Sequence, residues 1–188
     1  VENITSDITA YAEFAPITFT VTFKDGDEVL KTEKVNYGNN AEGLTPEKEG
    51  YTFNGWDQNL ENITSDLVVN AQFVIKTFTV TFYVDGEVHA TKTVEYGKNA
   101  VAPTRPKKTG HEFVGWEGSY KNVTSDLEIH AKFEKLEYVV SFYDFYGKVI
   151  KTENVKYQEA ATAPEIKSDE FYEFTGWNKE FSSITDDI

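Results

Sequence analysis

The chain repeats itself about every 60 residues, and that period limits what it can fold into more than any other feature. Gly-Trp pairs stand at Gly55-Trp56, Gly115-Trp116 and Gly176-Trp177, so the tryptophans are 60 and 61 positions apart (56 to 116, 116 to 177). An Ile-Thr-Ser-Asp marker occupies Ile4 to Asp7 and Ile63 to Asp66, returning as Val123 to Asp126 and as Ile184 to Asp187 with Asp186 in place of Ser. From each Trp to the last Asp of the following marker is 10 positions. A Val-x-Phe motif (Val21-Phe23, Val80-Phe82, Val140-Phe142) and a Val-x-Tyr motif (Val35-Tyr37, Val94-Tyr96, Val155-Tyr157) recur in the same order. Four markers in fixed order at one period define a tandem array.

Each period reads as a small, mainly β unit. Thr18 to Phe23 alternates threonine with Phe19, Val21 and Phe23, the period of a half-buried strand. Asp25-Gly26 and Asp85-Gly86 mark hairpin turns, leading into second strands over Val29 to Tyr37, Val88 to Tyr96 and Val149 to Tyr157. Gly38 to Gly50 is polar and carries Gly and Pro, predicting a crossover loop with one short helix, as does Ala100 to Pro106. Third and fourth strands are expected at Tyr51 to Trp56 and Leu67 to Phe73. Small polar groups of the marker are expected to bond nearby backbone N–H groups. The predicted core of the first full unit is Phe23, Val35, Tyr37, Phe53, Trp56, Leu67 and Phe73. Units of this size are marginal, and aromatic burial has to compensate. The segments Val74 to Thr77 and Glu134 to Glu137 read as linkers too short for free coil, so neighbouring units are expected in restricted orientations.

The expected organisation is a closing strand of a preceding unit at residues 1–14, then units at 15–74, 75–134 and 135–188, the last lacking its final strand. Asp7 to Phe14 spans the same seven positions as Asp66 to Phe73 and Asp126 to Phe133, which suggests a window on a longer array. An initial Val and the absence of methionine agree with that. An unpaired β edge is adhesive, so Ile8 to Phe14 is expected to complete the last unit of another copy, a head-to-tail strand exchange.

Composition narrows the function classes. With 32 acidic against 18 basic residues the formal charge is −14, which opposes binding to nucleic acid. No long apolar run is present, so no membrane insertion is expected. Cysteine is absent, removing thiol catalysis, disulfides and zinc–thiolate sites.

The order Val-x-Phe, Asp-Gly, Val-x-Tyr-Gly, Ala-Pro, Gly-Tyr-x-Phe-x-Gly-Trp, Ile-Thr-Ser-Asp-Leu and a closing aromatic strand resembles the Listeria–Bacteroides repeat family, which includes the B repeat of the internalin B surface protein. The likeness covers nearly the whole chain, and Gly50 to Trp56 carries its most specific part. The resemblance implies tandem β-grasp-like, ubiquitin-related units of mainly β or α+β class in an extended array. It also implies export, a place in a long bacterial cell-surface protein (wall-attached or secreted), and no catalytic residues or cofactors. His111 stands where the pattern has Tyr, Phe171 where it has Gly, and Gln158 where it has the Gly after the second-strand Tyr, predicting an altered turn in the last unit.

Several residue groups invite a chemical reading, and each has a plainer one. His89, His111 and His130 fall in the middle unit at positions that the first unit fills with Leu30, Tyr51 and Asn70, so a shared metal or base role needs an unrelated convergence. Asp25-Gly26-Asp27-Glu28 suggests calcium, but it lacks the ligand ladder of an EF-hand and suits a hairpin. The Gly-Trp pairs suit a sugar-stacking platform, or a core aromatic repeated in every unit. Asn3-Ile4-Thr5, Asn62-Ile63-Thr64 and Asn122-Val123-Thr124 fit a glycosylation pattern, and equally turn chemistry. Nothing singles out a Lys, Asn and acid set for an isopeptide bond. The expected function is therefore a non-catalytic stalk that projects a binding domain from the cell surface. The alternative is a weak multivalent adhesion module for a host surface protein or glycan. Threonine faces that fade in the last unit, at Glu137 and Ser141, favour the stalk.

Overall fold

A computed structural model describes residues 6–168 and 170–188. The chain divides into two compact units, one ending at Thr77 and one spanning Phe78–Ile188. The first holds a single four-stranded sheet. Strands β1 (Thr18–Asp25) and β2 (Glu28–Asn36) form an antiparallel hairpin, and β4 (Leu67–Ile75) runs parallel to β1 and antiparallel to β3 (Tyr51–Trp56). The order is β2-β1-β4-β3. Alternation places Val21 and Phe23 of β1 and Val69 of β4 on one face, where they are fully buried with Val35, Ala41 and Ile63. Removing each of these large side chains from water contributes about 1.5–3 kcal/mol.

The second unit repeats the plan. β5 (Thr77–Val84), β6 (Glu87–Glu95), β7 (His111–Glu117) and β8 (Leu127–Lys135) form a sheet of order β6-β5-β8-β7, with Val80, Phe82, Val94, Ala100, Val123 and Ile129 as its core. It continues into a two-stranded sheet of β9 (Glu137–Tyr143) and β10 (Val149–Lys156) over Val140, Phe142, Val155, Ala161 and Ile184.

Three expectations are corrected. First, no helix forms among the described residues, and both crossovers are loops. In the first unit the backbone bonds instead tie the β2–β3 loop to the β3–β4 loop: Gly38 N–H to Ile63 O and Ile63 N–H to Asn39 O, both 2.8 Å, and Ala41 N–H to Leu60 O, 2.8 Å. Second, Tyr37 is not core but 62% exposed, and of the seven predicted core residues only Phe23 and Val35 are buried. Phe53, Trp56, Leu67 and Phe73 are half-buried, while Ile63 and Val69 complete the core. Third, the predicted linkers are mostly strand, with Lys76 alone between β4 and β5 and Leu136 alone between β8 and β9. Within the single chain Ile8 to Phe14 forms no strand and lies exposed. Residues 1–5, which include Asn3-Ile4-Thr5 and the start of the first marker, lie outside the described residues.

Candidate functional site

The marker is a structural brace that recurs in each repeat. An oxygen of Asp66 accepts Thr20 N–H at 2.7 Å, one of Asp126 accepts Thr79 N–H at 2.7 Å, and one of Asp187 accepts Val139 N–H at 2.8 Å. Its Ile63, Val123 and Ile184 are buried. Asn62 and Asn122 take positive φ of 52° and 50°, and their N–H groups donate to the side-chain oxygens of Asn40 and Asn99. At these two sites the asparagines serve the turn.

The hairpin acids are likewise engaged. Lys48 bonds both oxygens of Asp25 at 3.1 and 2.8 Å, and Lys108 meets Asp85 at 2.7 Å. The tryptophans sit edge-on against strand aromatics: Trp56 lies 4.8 Å from Phe23, Trp116 5.0 Å from Phe82 and Trp177 4.9 Å from Phe142. Each tryptophan is half-buried and packs against the core cluster of its repeat. The histidines are dispersed. His89 lies against Trp116 and the Thr104 carbonyl, His130 stacks on Tyr83 at 5.1 Å, and His111 meets Tyr157 at 6.0 Å. Among the described residues no set of three or more His, Asp or Glu side chains converges to hold a metal.

Two carboxylates are held below their ordinary titration range. Asp57 accepts the Asn70 backbone N–H at 2.7 Å and its side-chain amide at 3.0 Å. Glu153 pairs with Lys151 at 2.9 Å and accepts Thr162 N–H at 2.5 Å.

A joint and a slot remain. The joint lies between β8 and β9. Leu136 donates its N–H to Gly110 O at 2.9 Å and accepts Tyr157 N–H at 2.8 Å, so the single connecting residue is clamped from both sides. The Tyr157 ring lies against Gly110, where φ is +68° and a Cβ would overlap the ring. Lys135 reaches Glu159 at 3.0 Å across the same joint. Tyr157 belongs to the Val-x-Tyr marker, so that motif builds a joint as well as a strand.

The slot is a cavity of about 850 Å³ between β9 and residues 172–177, lined in part by Phe142, Tyr143, Phe145, Tyr172, Phe174 and Trp177. Gly176 and Trp177 lie in no strand there, whereas their counterparts lie in β3 and β7.

A family model described as the Listeria-Bacteroides repeat domain matches residues 19–76, 78–132 and 138–187. A protein of Evansella cellulosilytica whose name suggests a membrane protein is 29% identical over 90% of this chain and 29% of its own length. Internalin H of Listeria monocytogenes is 36% identical over 40% of this chain and 16% of its own. The chain therefore spans less than a third of these curated relatives. A solved structure of Streptococcal High Identity Repeats in Tandem domains 3–4, from a cell surface protein, shares 18% identity at a TM-score of 0.30, covering 63% of this chain and 99% of that one.

Proposed function

The chain belongs to the Listeria-Bacteroides repeat family, and from that membership and the geometry of its joint we propose a non-catalytic spacer array within a bacterial cell-surface protein, exported and displayed outside the cell. The observation that carries the reading is the clamp at Leu136. One residue, bonded on both sides and closed by Tyr157 on Gly110, leaves little backbone freedom between β8 and β9. A spacer needs that stiffness, because a free linker would let the array collapse on itself. On the same reading each unit is β-grasp-related, supported by the order β2-β1-β4-β3 with its parallel central pair. On that reading residues 15–74, 75–134 and 135–188 are repeats of the array, and residues 1–14 belong to the closing part of a preceding one.

An adhesion module would present one exposed contact in every repeat. The outward positions of β4 do not do so: Val68 and Val74 are replaced by Glu128 and Glu134 on β8. The test is binding of the folded chain to host cells, glycans and wall fragments at physiological salt. The spacer reading expects no saturable binding. Saturable binding that survives high salt and is lost on unfolding would overturn it in favour of adhesion.

A further inference from the structure

In the two four-stranded sheets the first and last strands are neighbours and run the same way. Val21, Thr22, Phe23 and Lys24 of β1 lie beside Leu67, Val68, Val69 and Asn70 of β4, and Val80 to Tyr83 of β5 lie beside Leu127 to His130 of β8. Lys76 alone separates the end of β4 from the start of β5. Tension along the chain therefore enters the first sheet at the start of β1 and leaves it at the far end of β4. Those two points draw the parallel strands past each other. The evenly spaced bonds of a parallel pair then share the load, whereas bonds at the open end of a hairpin break one after another. Two features lock this seam against sliding. An oxygen of Asp66 accepts Thr20 N–H and one of Asp126 accepts Thr79 N–H, both at 2.7 Å, so each marker carboxylate adds a bond at the end where tension enters. On the inner face Val21, Phe23 and Val69 are fully buried. A slip of one residue would turn Val69 outward, and recovering its face takes two residues, about 6.6 Å of travel. No hydrogen bond of the seam survives that displacement.

We propose that the β1–β4 seam and its β5–β8 counterpart are load-bearing, so that each of these sheets resists tension applied along the chain. The hairpin turn, β2, β3 and both loops of the first sheet lie between the two seam strands in sequence. They stay off the load path until the seam breaks. The marker aspartates then have a second role, as the first bonds that the load meets. This inference rests on the spacer reading for its use, because a spacer held at both ends is pulled whenever those ends are drawn apart. The strength of the seam itself is a separate property. It depends on strand direction and register, and not on what the array does or does not bind.

The test is single-molecule pulling on the full chain in two directions. The chain contains no cysteine, so two introduced thiols serve as unique handles. Ile17→Cys with Lys76→Cys loads the β1–β4 seam along its strands. Ile17→Cys with Tyr37→Cys opens the β1–β2 hairpin from its end, since Tyr37 N–H donates to Ile17 O at 2.8 Å and Thr18 pairs with Asn36. All three substituted residues are exposed. At one loading rate the first pair is expected to break at the higher force, in a single step that releases about 200 Å of chain. Asp66→Ala should speed rupture of the first pair about fivefold at fixed force, through the loss of one bond, and leave the second pair unchanged. Asp66→Asn should restore part of the resistance. Equal rupture forces in the two directions overturn the proposal. So does an Asp66→Ala effect of the same size in both, which would make the brace a general stabiliser and not a part of the load path. A weak seam would leave the spacer reading standing, because that reading is decided by the binding assay.

Discussion

Asp66, Asp126 and Asp187 do the same work in three repeats, each turning a carboxylate oxygen onto the N–H of a first-strand residue 46 to 48 positions away. A charge-assisted bond of this kind between partly solvated groups is worth on the order of 1 kcal/mol. Asp126→Ala is expected to destabilise the β5–β8 sheet by about that amount, read as a lower urea midpoint with faster exchange of the Thr79 amide. Asparagine at the same position keeps an acceptor and should recover part of the loss. The depressed carboxylates add a pH dependence of definite sign. Asp57 and Glu153 both titrate lower when folded, so the unfolded chain binds protons first as pH falls. Their stabilisation is complete above the ordinary carboxylate range and is lost as pH falls through the lowered folded values. Thermal midpoints should therefore decline below about pH 4.5. Glu153→Gln should flatten that decline in the β9–β10 region and leave the region of Asp57 unchanged.

The strands were legible because period 2 is written in side chains. Thr18 to Phe23 alternates plainly, and β3 falls at Tyr51–Trp56 as expected. The expected crossover helix was not, because its residues are held by partners far away in sequence. Gly43 packs against Trp56, where a Cβ would come within 3.0 Å of the indole nitrogen, and Ala41 is tied to Leu60. Those contacts require a flat loop across the core, and helix propensity cannot compete with them. Tyr37 misled for a related reason. Its counterpart Tyr157 is apolar payload for a joint, and periodicity does not distinguish a joint from a core. The site was less legible still, since the slot depends on which strand has neighbours on both sides, a property of pairing and not of any motif. The third strand shows this directly. Tyr51–Trp56 and His111–Glu117 are strands beside β4 and β8, while the matching Gly176-Trp177 segment, with the slot beside it, is not. The fourth strand is thus the element that holds each sheet together. Ile129→Ala on β8, at a site 2% exposed, should cost about 2–5 kcal/mol. Hydrogen exchange should show β7 losing protection along with β8, while β1–β4 are unchanged.

At the scale of the molecule, stiffness depends on how one repeat meets the next, and the joint at Leu136 makes that testable apart from unit stability. Gly110 is constrained twice, by a φ of +68° and by the Tyr157 ring lying where a Cβ would go. Gly147 has a φ of +80° but open space around it. Alanine at either site pays the left-handed backbone penalty of about 1–2 kcal/mol, whereas only Gly110→Ala must also push Tyr157 away. With spin labels placed on β5 and β10, the native chain is expected to give a narrow distance distribution. Gly147→Ala should leave that distribution narrow, and Gly110→Ala should broaden it, with loss of the Leu136 amide's protection. Tyr157→Ala, which removes the ring and not the glycine, should broaden it as well. If Gly110→Ala and Gly147→Ala gave equally narrow distributions, the ring contact would not be what stiffens the joint, and the spacer reading would lose the feature it depends on most.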